Sequence, residues 1–339
     1  MTDTTSISLD DAFALSVSVL VSNGYSADHA NAIAKVVCAG QRDECHSHGL
    51  YRLLGCVRTI QMGKVDGTAV PEIIDHAAGI VRADARNGYS LLAFDAARGM
   101  LVDKARKSGI AALAINHCYH FSALWPEVEA LAEDGVVAIA MTPSHNWVAP
   151  FGGRKPVFGT NPLAFAWPRP EGHPYVFDFA TSTVARGEIE LHRGAGKAIP
   201  ADWAVDADGA PTSSAEAALA GAMTVFGGYK GSALSTMIEL LAGPLIGDLS
   251  SMESNAHDNG AGVAPYHGEL LLAFDPTAFT GSSAAAHAQR AEVIFDAIVD
   301  QGARLPSQRR YAARARSLSR GMMDIPSALL AEIRALVKS

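Results

Sequence analysis

The segment His46-Ser47-His48-Gly49-Leu50-Tyr51-Arg52 holds the most concentrated polar chemistry in the chain. If it is helical, His48 and Arg52 lie one turn apart on the same face, a titratable group beside a permanent cation. An imidazole with an ordinary pKa of about 6.5 donates and accepts protons around neutrality. A guanidinium holds a carboxylate through two parallel hydrogen bonds. The pair suits proton transfer to a small carboxylic acid, and a capped polar helix end is the competing bland reading. Ser47 is not expected to bond His48, because neighbouring side chains diverge on a helix.

Other candidates are more scattered. Asp178 lies inside the apolar run Tyr175-Val176-Phe177-Asp178-Phe179-Ala180-Thr181-Ser182, where a carboxylate needs either a ligand contact or a backbone terminus to cap. Arg304, Arg309 and Arg310 fall within seven residues; they suit a phosphate group or make a solvated helix start running on into Arg314 and Arg316. Gly227-Gly228-Tyr229-Lys230-Gly231-Ser232 leads into a helix expected near Ser232, and such an end can hold an anion. It lacks P-loop spacing, and no GxGxxG occurs, so an ordinary Rossmann dinucleotide site is disfavoured. His46, His48, His117 and His120 offer imidazoles for a metal-dependent hydrolase, but the spacing and acidic or thiol partners of a zinc site are missing. No metal site is expected.

These residues must be held by a chain of 339 residues, room for about two domains. Hydrophobic residues make up 49% and charged residues 18%, the balance of a globular protein with a substantial core. The net charge of -8 argues against nucleic acid or an acidic membrane as partner. Four cysteines without a CxxC pair read as free thiols in a reducing, cytoplasmic setting. The polar N-terminal stretch lacks a signal-peptide pattern, and Ala233–Leu249, the most apolar run, is broken by Glu239, Gly243, Pro244 and Gly247.

Helical periodicity marks residues 8–39, broken at Asn23-Gly24, and 41–63 is helix-compatible. From residue 80 helices alternate with apolar runs: helices at 90–107 and 122–133, strands at 110–115, 136–141, 163–167, 175–179 and 270–274. Residues 192–213 read as an exposed excursion, and 283–301, 307–320 and 326–338 are helical. The expected division is an α/β domain over 79–277 and a discontinuous helical domain of 1–78 with 278–339.

Six segments, in register over nearly the whole chain, resemble the malate/L-lactate dehydrogenase family that lacks the ordinary Rossmann fold. They are Ser47-His48-Gly49 with Arg52, His120-Phe121-Ser122-Ala123-Leu124-Trp125-Pro126, Phe158-Gly159-Thr160-Asn161-Pro162, Phe177 to Ser182, Gly227 to Gly231, and Arg304-Leu305-Pro306-Ser307-Gln308-Arg309-Arg310. Leu124-Trp125-Pro126 favours the family's delta1-piperideine-2-carboxylate/delta1-pyrroline-2-carboxylate reductase branch.

The resemblance implies an L-sulfolactate/malate dehydrogenase-like fold: a mixed sheet with helices, plus a helical domain from both chain ends. It implies NADPH, with NADH a weaker substitute, reducing a cyclic 2-imino acid in a homodimer. His48 is then the proton donor, supported by a relay of Ser47 and Glu188. Arg52 and Thr160, with Arg186 and Gly187 nearby, bind the substrate. His120, Phe121, Ser122, Ala123, Leu124, Asp178, Phe179, Ala180, Tyr229, Lys230 and Arg304 to Arg310 (including Leu305, Pro306, Ser307, Gln308 and Arg309) hold the cofactor. A malate- or lactate-type 2-hydroxy acid dehydrogenase is the alternative within the family. Four positions depart from the branch's pattern: Glu188 stands for Asp, Tyr229 for His and Ser307 for Gly, and Arg186 occupies a position that is His or another residue in relatives.

Overall fold

In this computed structural model, which describes residues 3–338, a short strand β1 (Thr4–Ser8) leads into helices α1 (Leu9–Ser22) and α2 (Ala27–Arg42). Ser8 and Ser26 start the two helices by accepting the amides of Asp11 and His29, the usual work of an N-cap hydroxyl. A 3-10 turn, His46–His48, and α3 (Arg52–Gln61) follow. The chain then runs through β2 (Glu72–Ala77), β3 (Ile80–Asp84), α4 (Ser90–Ser108), β4 (Ile110–Tyr119), α5 (Trp125–Glu133), β5 (Val137–Met141), β6 (Leu163–Trp167) and β7 (Tyr175–Phe179). Next come α6 (Arg186–Gly194), β8 (Ala204–Val205), α7 (Ala215–Ala220), β9 (Ala222–Met223), α8 (Tyr229–Ala242) and α9 (Ser251–Asp258). Finally β10 (Tyr266–Phe274), α10 (Pro276–Thr280), α11 (Ala284–Val299), α12 (Gln308–Arg320), β11 (Met322–Pro326) and α13 (Ser327–Ala335) lead towards the C-terminus.

The main sheet has seven strands in the order β2-β3-β4-β10-β5-β6-β7. β3 and β4 are parallel, as a helical crossover through α4 requires, and the other neighbours are antiparallel. β10 lies inside the sheet and is apolar on both faces. Leu271 and Ala273 join Phe94, Leu101, Val128 and Leu131 of α4 and α5, while Leu270 packs with Ile238 and Ala242 of α8. Glu269 shares the Leu271 face by strand alternation, an acid in an otherwise oily layer. The fold is thus a mixed sheet covered by helices, with a second core drawn from both chain ends. That core joins Leu20, Ile33, Leu53 and Val57 to Met323, Ile325, Leu330 and Ile333.

Three features differ from the sequence reading. The sheet begins at β2, so the expected boundary at 78/79 cuts between β2 and its antiparallel partner β3. α11 belongs beside the sheet: Arg169 pairs with Glu292, and the Tyr175 and Phe295 rings stack at 5.0 Å. α12, β11 and α13 return to the N-terminal helices, where β11 pairs with β1. Residues 192–213 are no mere excursion either, since Ile199 and Ala204 pack with Val148, Ile189, Ala218 and Met223 in a small separate core. Among the described residues no single helix is long and apolar enough to cross a membrane.

Candidate active site

His48 ends the 3-10 turn that joins α2 to α3, and Arg52 opens α3. The turn is pressed against the end of α2. A Cβ on Gly40 would stand 2.5 Å from the His48 carbonyl oxygen, and one on Gly49 would stand 2.5 Å from Gln41 Oε1. Both positions therefore need glycine for close approach. Gln41 fixes the turn from the side. Its Nε2 donates to the Asp324 carbonyl at 2.7 Å, Nε2 lies 3.1 Å from His46 Nδ1, and its Oε1 accepts from Leu50 N.

Contrary to the helical expectation, Ser47 does meet His48: Ser47 Oγ lies 3.1 Å from His48 Nδ1. The segment is not α-helical there, so adjacent side chains need not diverge. Ser47 also accepts Arg52 Nε on its carbonyl at 2.7 Å, which ties the imidazole and the guanidinium to one residue. His48 Nε2 has no hydrogen bond among the described residues. Burial first, and then the Arg52 charge, push the His48 pKa down to about 3, so the unliganded imidazole is neutral at physiological pH. No carboxylate lies within ion-pair distance of Arg52 among the described residues, and burial lowers its own pKa. A half-buried cation without a counter-ion favours an arriving anion.

The remaining predicted residues divide between accessible and committed groups. Glu188 lies in the first turn of α6, is exposed, and faces His192, its Oε1 3.8 Å from Nδ1. Among the described residues it makes no hydrogen bond to Ser47 or His48, so of the expected relay the Ser47–His48 contact is formed and the Glu188 link is not. Arg186 faces Glu190 at 3.6 Å and lies 4.8 Å from the Trp147 ring centroid, with Gly187 exposed beside it. The Thr160 carbonyl accepts from the Thr181 amide and hydroxyl. Its loop is held by Glu239 of α8, whose carboxylate accepts from Asn161 Nδ2 at 2.8 Å and Ser251 N at 2.9 Å.

His120 is buried where β4 ends, with Ser122 Oγ 3.4 Å from its Nε2. Phe121 packs edge-on to Tyr89 at 5.2 Å, and Ala123 and Leu124 lead into α5. Asp178 takes the capping option: its Oδ2 accepts the amides of Leu124 and Trp125 at 2.8 and 2.9 Å. Burial pushes its pKa up to about 6, against the pull of those amides and of Arg310. Phe179 is exposed at the end of β7, followed by Ala180. α8 begins at Tyr229, earlier than expected, with Tyr229 and Lys230 exposed.

The arginine cluster requires a correction. Arg304 and Arg309 are exposed and form no ion pair among the described residues. Arg310 is buried, with Nη1 3.3 Å from Asp43 and Nη2 2.5 Å from Glu129, and its guanidinium lies 3.9 Å from the Trp125 ring centroid. It is a core ion pair, extended by Arg314, and is not available to a phosphate. Between these arginines Leu305 is buried, Pro306 is exposed, Gln308 Oε1 accepts from Leu305 N, and Ser307 caps α12 at a φ of 63°. That left-handed conformation explains a glycine preference there.

The four candidate metal-binding histidines do not converge. His46 faces Gln41 and His117 faces Asp84. The grouping found among the described residues is a different one, His120 with Glu127 and Glu269, all buried. Sequence reading missed Gly40, Gln41, Glu239 and this acidic pair. For Glu269 a signal existed, an acid inside the apolar run that became β10.

The fold and site define an oxidoreductase of the malate/L-lactate dehydrogenase family, to which this chain belongs: the family model matches residues 7–334. Among individual proteins, it is 60% identical over 337 residues, 99% of this chain and 100% of the other, to a Delta(1)-pyrroline-2-carboxylate reductase of Pseudomonas fluorescens. The crystal structure of delta1-piperideine-2-carboxylate reductase from Pseudomonas syringae pvar. tomato superposes with a TM-score of 0.93 at 42% identity, covering 98% of this chain and 99% of that one. Sulfolactate dehydrogenase of Methanocaldococcus jannaschii shares the fold, with a TM-score of 0.84 at 22% identity over 98% of this chain and 96% of that one.

Proposed function

We propose that the protein reduces cyclic 2-imino acids, delta1-pyrroline-2-carboxylate to L-proline and delta1-piperideine-2-carboxylate to L-pipecolate, with NADPH as the preferred donor. The observation that carries this reading is Arg52, kept without a carboxylate partner beside His48. The likeness to pyrroline- and piperideine-2-carboxylate reductases supports the imine over the ketone. A homodimer working in the cytoplasm completes the proposal.

Bound NADPH supplies the hydride. The unpaired cations Arg304, Arg309 and Lys230 suit its phosphates, while Arg310 contributes only by shaping the site. Arg52 grips the substrate carboxylate, which orients the imine carbon. The same contact offsets the Arg52 charge, the second cause after burial of the lowered His48 pKa; the pKa then rises and the imidazole can carry a proton to the nitrogen. Substrate binding thus arms the donor. Ser47 holds Nδ1 and leaves Nε2 to face the substrate. Glu188 joins this set only if its side chain turns away from His192.

Spectrophotometric NADPH oxidation with both cyclic imines, pyruvate and oxaloacetate tests the reading. Turnover of the imines well above that of the keto acids is expected. The reverse preference would establish the 2-hydroxy acid dehydrogenase, which the family membership favours as the second reading.

A further inference from the structure

Directly behind His120 lies a pair of acids that the site chemistry has not used. Glu127 projects from the first turn of α5 and Glu269 from β10, at 1% and 0% exposure. All four of their carboxylate oxygens are buried without a hydrogen-bond partner. The ligand atoms of Glu127, Glu269 and His120 lie within 4.8 Å of one another, and His120 Nε2 is 3.9 Å from Glu269 Oε2. Gly268 sets this geometry. The β10–β4 register shifts between His267 and Glu269, and a Cβ at Gly268 would stand 2.6 Å from Ile246 Cδ1. Such an irregularity re-aims the neighbouring side chains.

Burial and the repulsion of like charges oppose ionising two adjacent carboxylates together, so that at least one keeps its proton. The groups facing the pair do not relieve this. Asp178 of β7 and Asp95 of α4 add negative charge around Glu127, and the Ser90 hydroxyl of α4 is the polar neighbour that favours a charged Glu269. His120 is kept neutral by burial and by the nearby His267, His48 and Arg52. The cluster therefore holds a proton on its acids, beside an imidazole whose protonation the charges of His48 and Arg52 oppose.

We propose that Glu127 and Glu269 share a proton and that His120 passes it to His48, so that the pair is the internal source from which the donor is reloaded. This role rests on the imine-reductase reading. Reduction adds a hydride, with its electron pair, to the imine carbon, and a proton from His48 to the nitrogen. His48 then takes a proton from His120 and His120 takes one from the acid pair; between turnovers a proton from bulk water returns to the pair by the same path in reverse, entering at His48. Glu127 and Glu269 touch no reacting atom and act through His120.

Infrared spectroscopy of the full-length protein without cofactor reads the proton directly. The carbonyl stretch of a protonated, buried carboxyl should persist at pH 8 and vanish in the double variant Glu127→Gln/Glu269→Gln. In Glu269→Gln, the pH at which kcat for imine reduction begins to fall should drop by about one unit, and kcat at pH 8 should fall about tenfold. KM and NADPH affinity should stay within about twofold. A merely structural pair would leave the pH profile unmoved, which overturns the relay. Absence of the infrared band, or a stoichiometric metal in the purified protein by elemental analysis, overturns the shared proton. Should the wild type reduce no imine, the proposed function fails and the relay with it, while the infrared band still decides whether the pair holds a proton.

Discussion

His48 is held neutral by its own surroundings, burial first and then Arg52. Its usefulness then depends on a substrate anion reversing the second influence. Replacing it by Ala should lower turnover by about 10²–10⁴-fold while NADPH affinity, read by fluorescence titration, stays nearly unchanged; loss of cofactor binding would give the residue another role. The arginines of the 304–310 segment should separate cleanly. Arg304→Ala and Arg309→Ala are expected to weaken NADPH much more than NADH. Arg310→Ala should instead destabilise the fold by about 1–3 kcal/mol in denaturant melts, since Asp43 and Glu129 lose one of the buried cations they share and keep Arg314. Equal losses of both nucleotides in the first two variants would remove the 2′-phosphate contact.

Elements position these residues through contacts of long sequence separation, and α8 is the clearest case. Glu239 on its inner side ties the Thr160 loop to the start of α9. Glu239→Ala leaves buried donors unpaired and should raise KM for the imino acid about tenfold, with a smaller loss in kcat; an unchanged KM would detach that loop from substrate binding. At this scale the sequence was partly legible. The apolar runs 163–167 and 175–179 match their strands to the residue, because apolar side chains line both faces of β6 and most of β7, although β7 is the sheet's edge. The His48 turn was not, since its shape depends on Gly40 and Gly49 fitting against α2 and Gln41. β1 and β11 were also unreadable, being short strands that exist only by pairing with each other. Asp178 was legible as a carboxylate needing partners, yet only the fold shows that these are the amides opening α5.

For the molecule as a whole, the buried acid pair couples stability to pH. Glu269 is raised above the ordinary carboxylate range by burial, so the unfolded chain gives up this proton at lower pH than the folded one. Its contribution is present in acid and is lost as pH rises through the raised value. Glu269→Gln should therefore melt a few degrees above the wild type at pH 8 and level with it near pH 4 in calorimetric scans; a constant difference would leave proton linkage out. The β1–β11 ladder has a consequence for synthesis. Gln41, which braces the His48 turn, donates to the Asp324 carbonyl of β11, and Asp43 awaits Arg310 and Arg314. Residues made in the first sixth of translation thus get their supports only when α12 and then β11 leave the ribosome. A nascent chain stalled before β11 would carry every catalytic residue proposed here and still lack an ordered site, so activity should switch on with release.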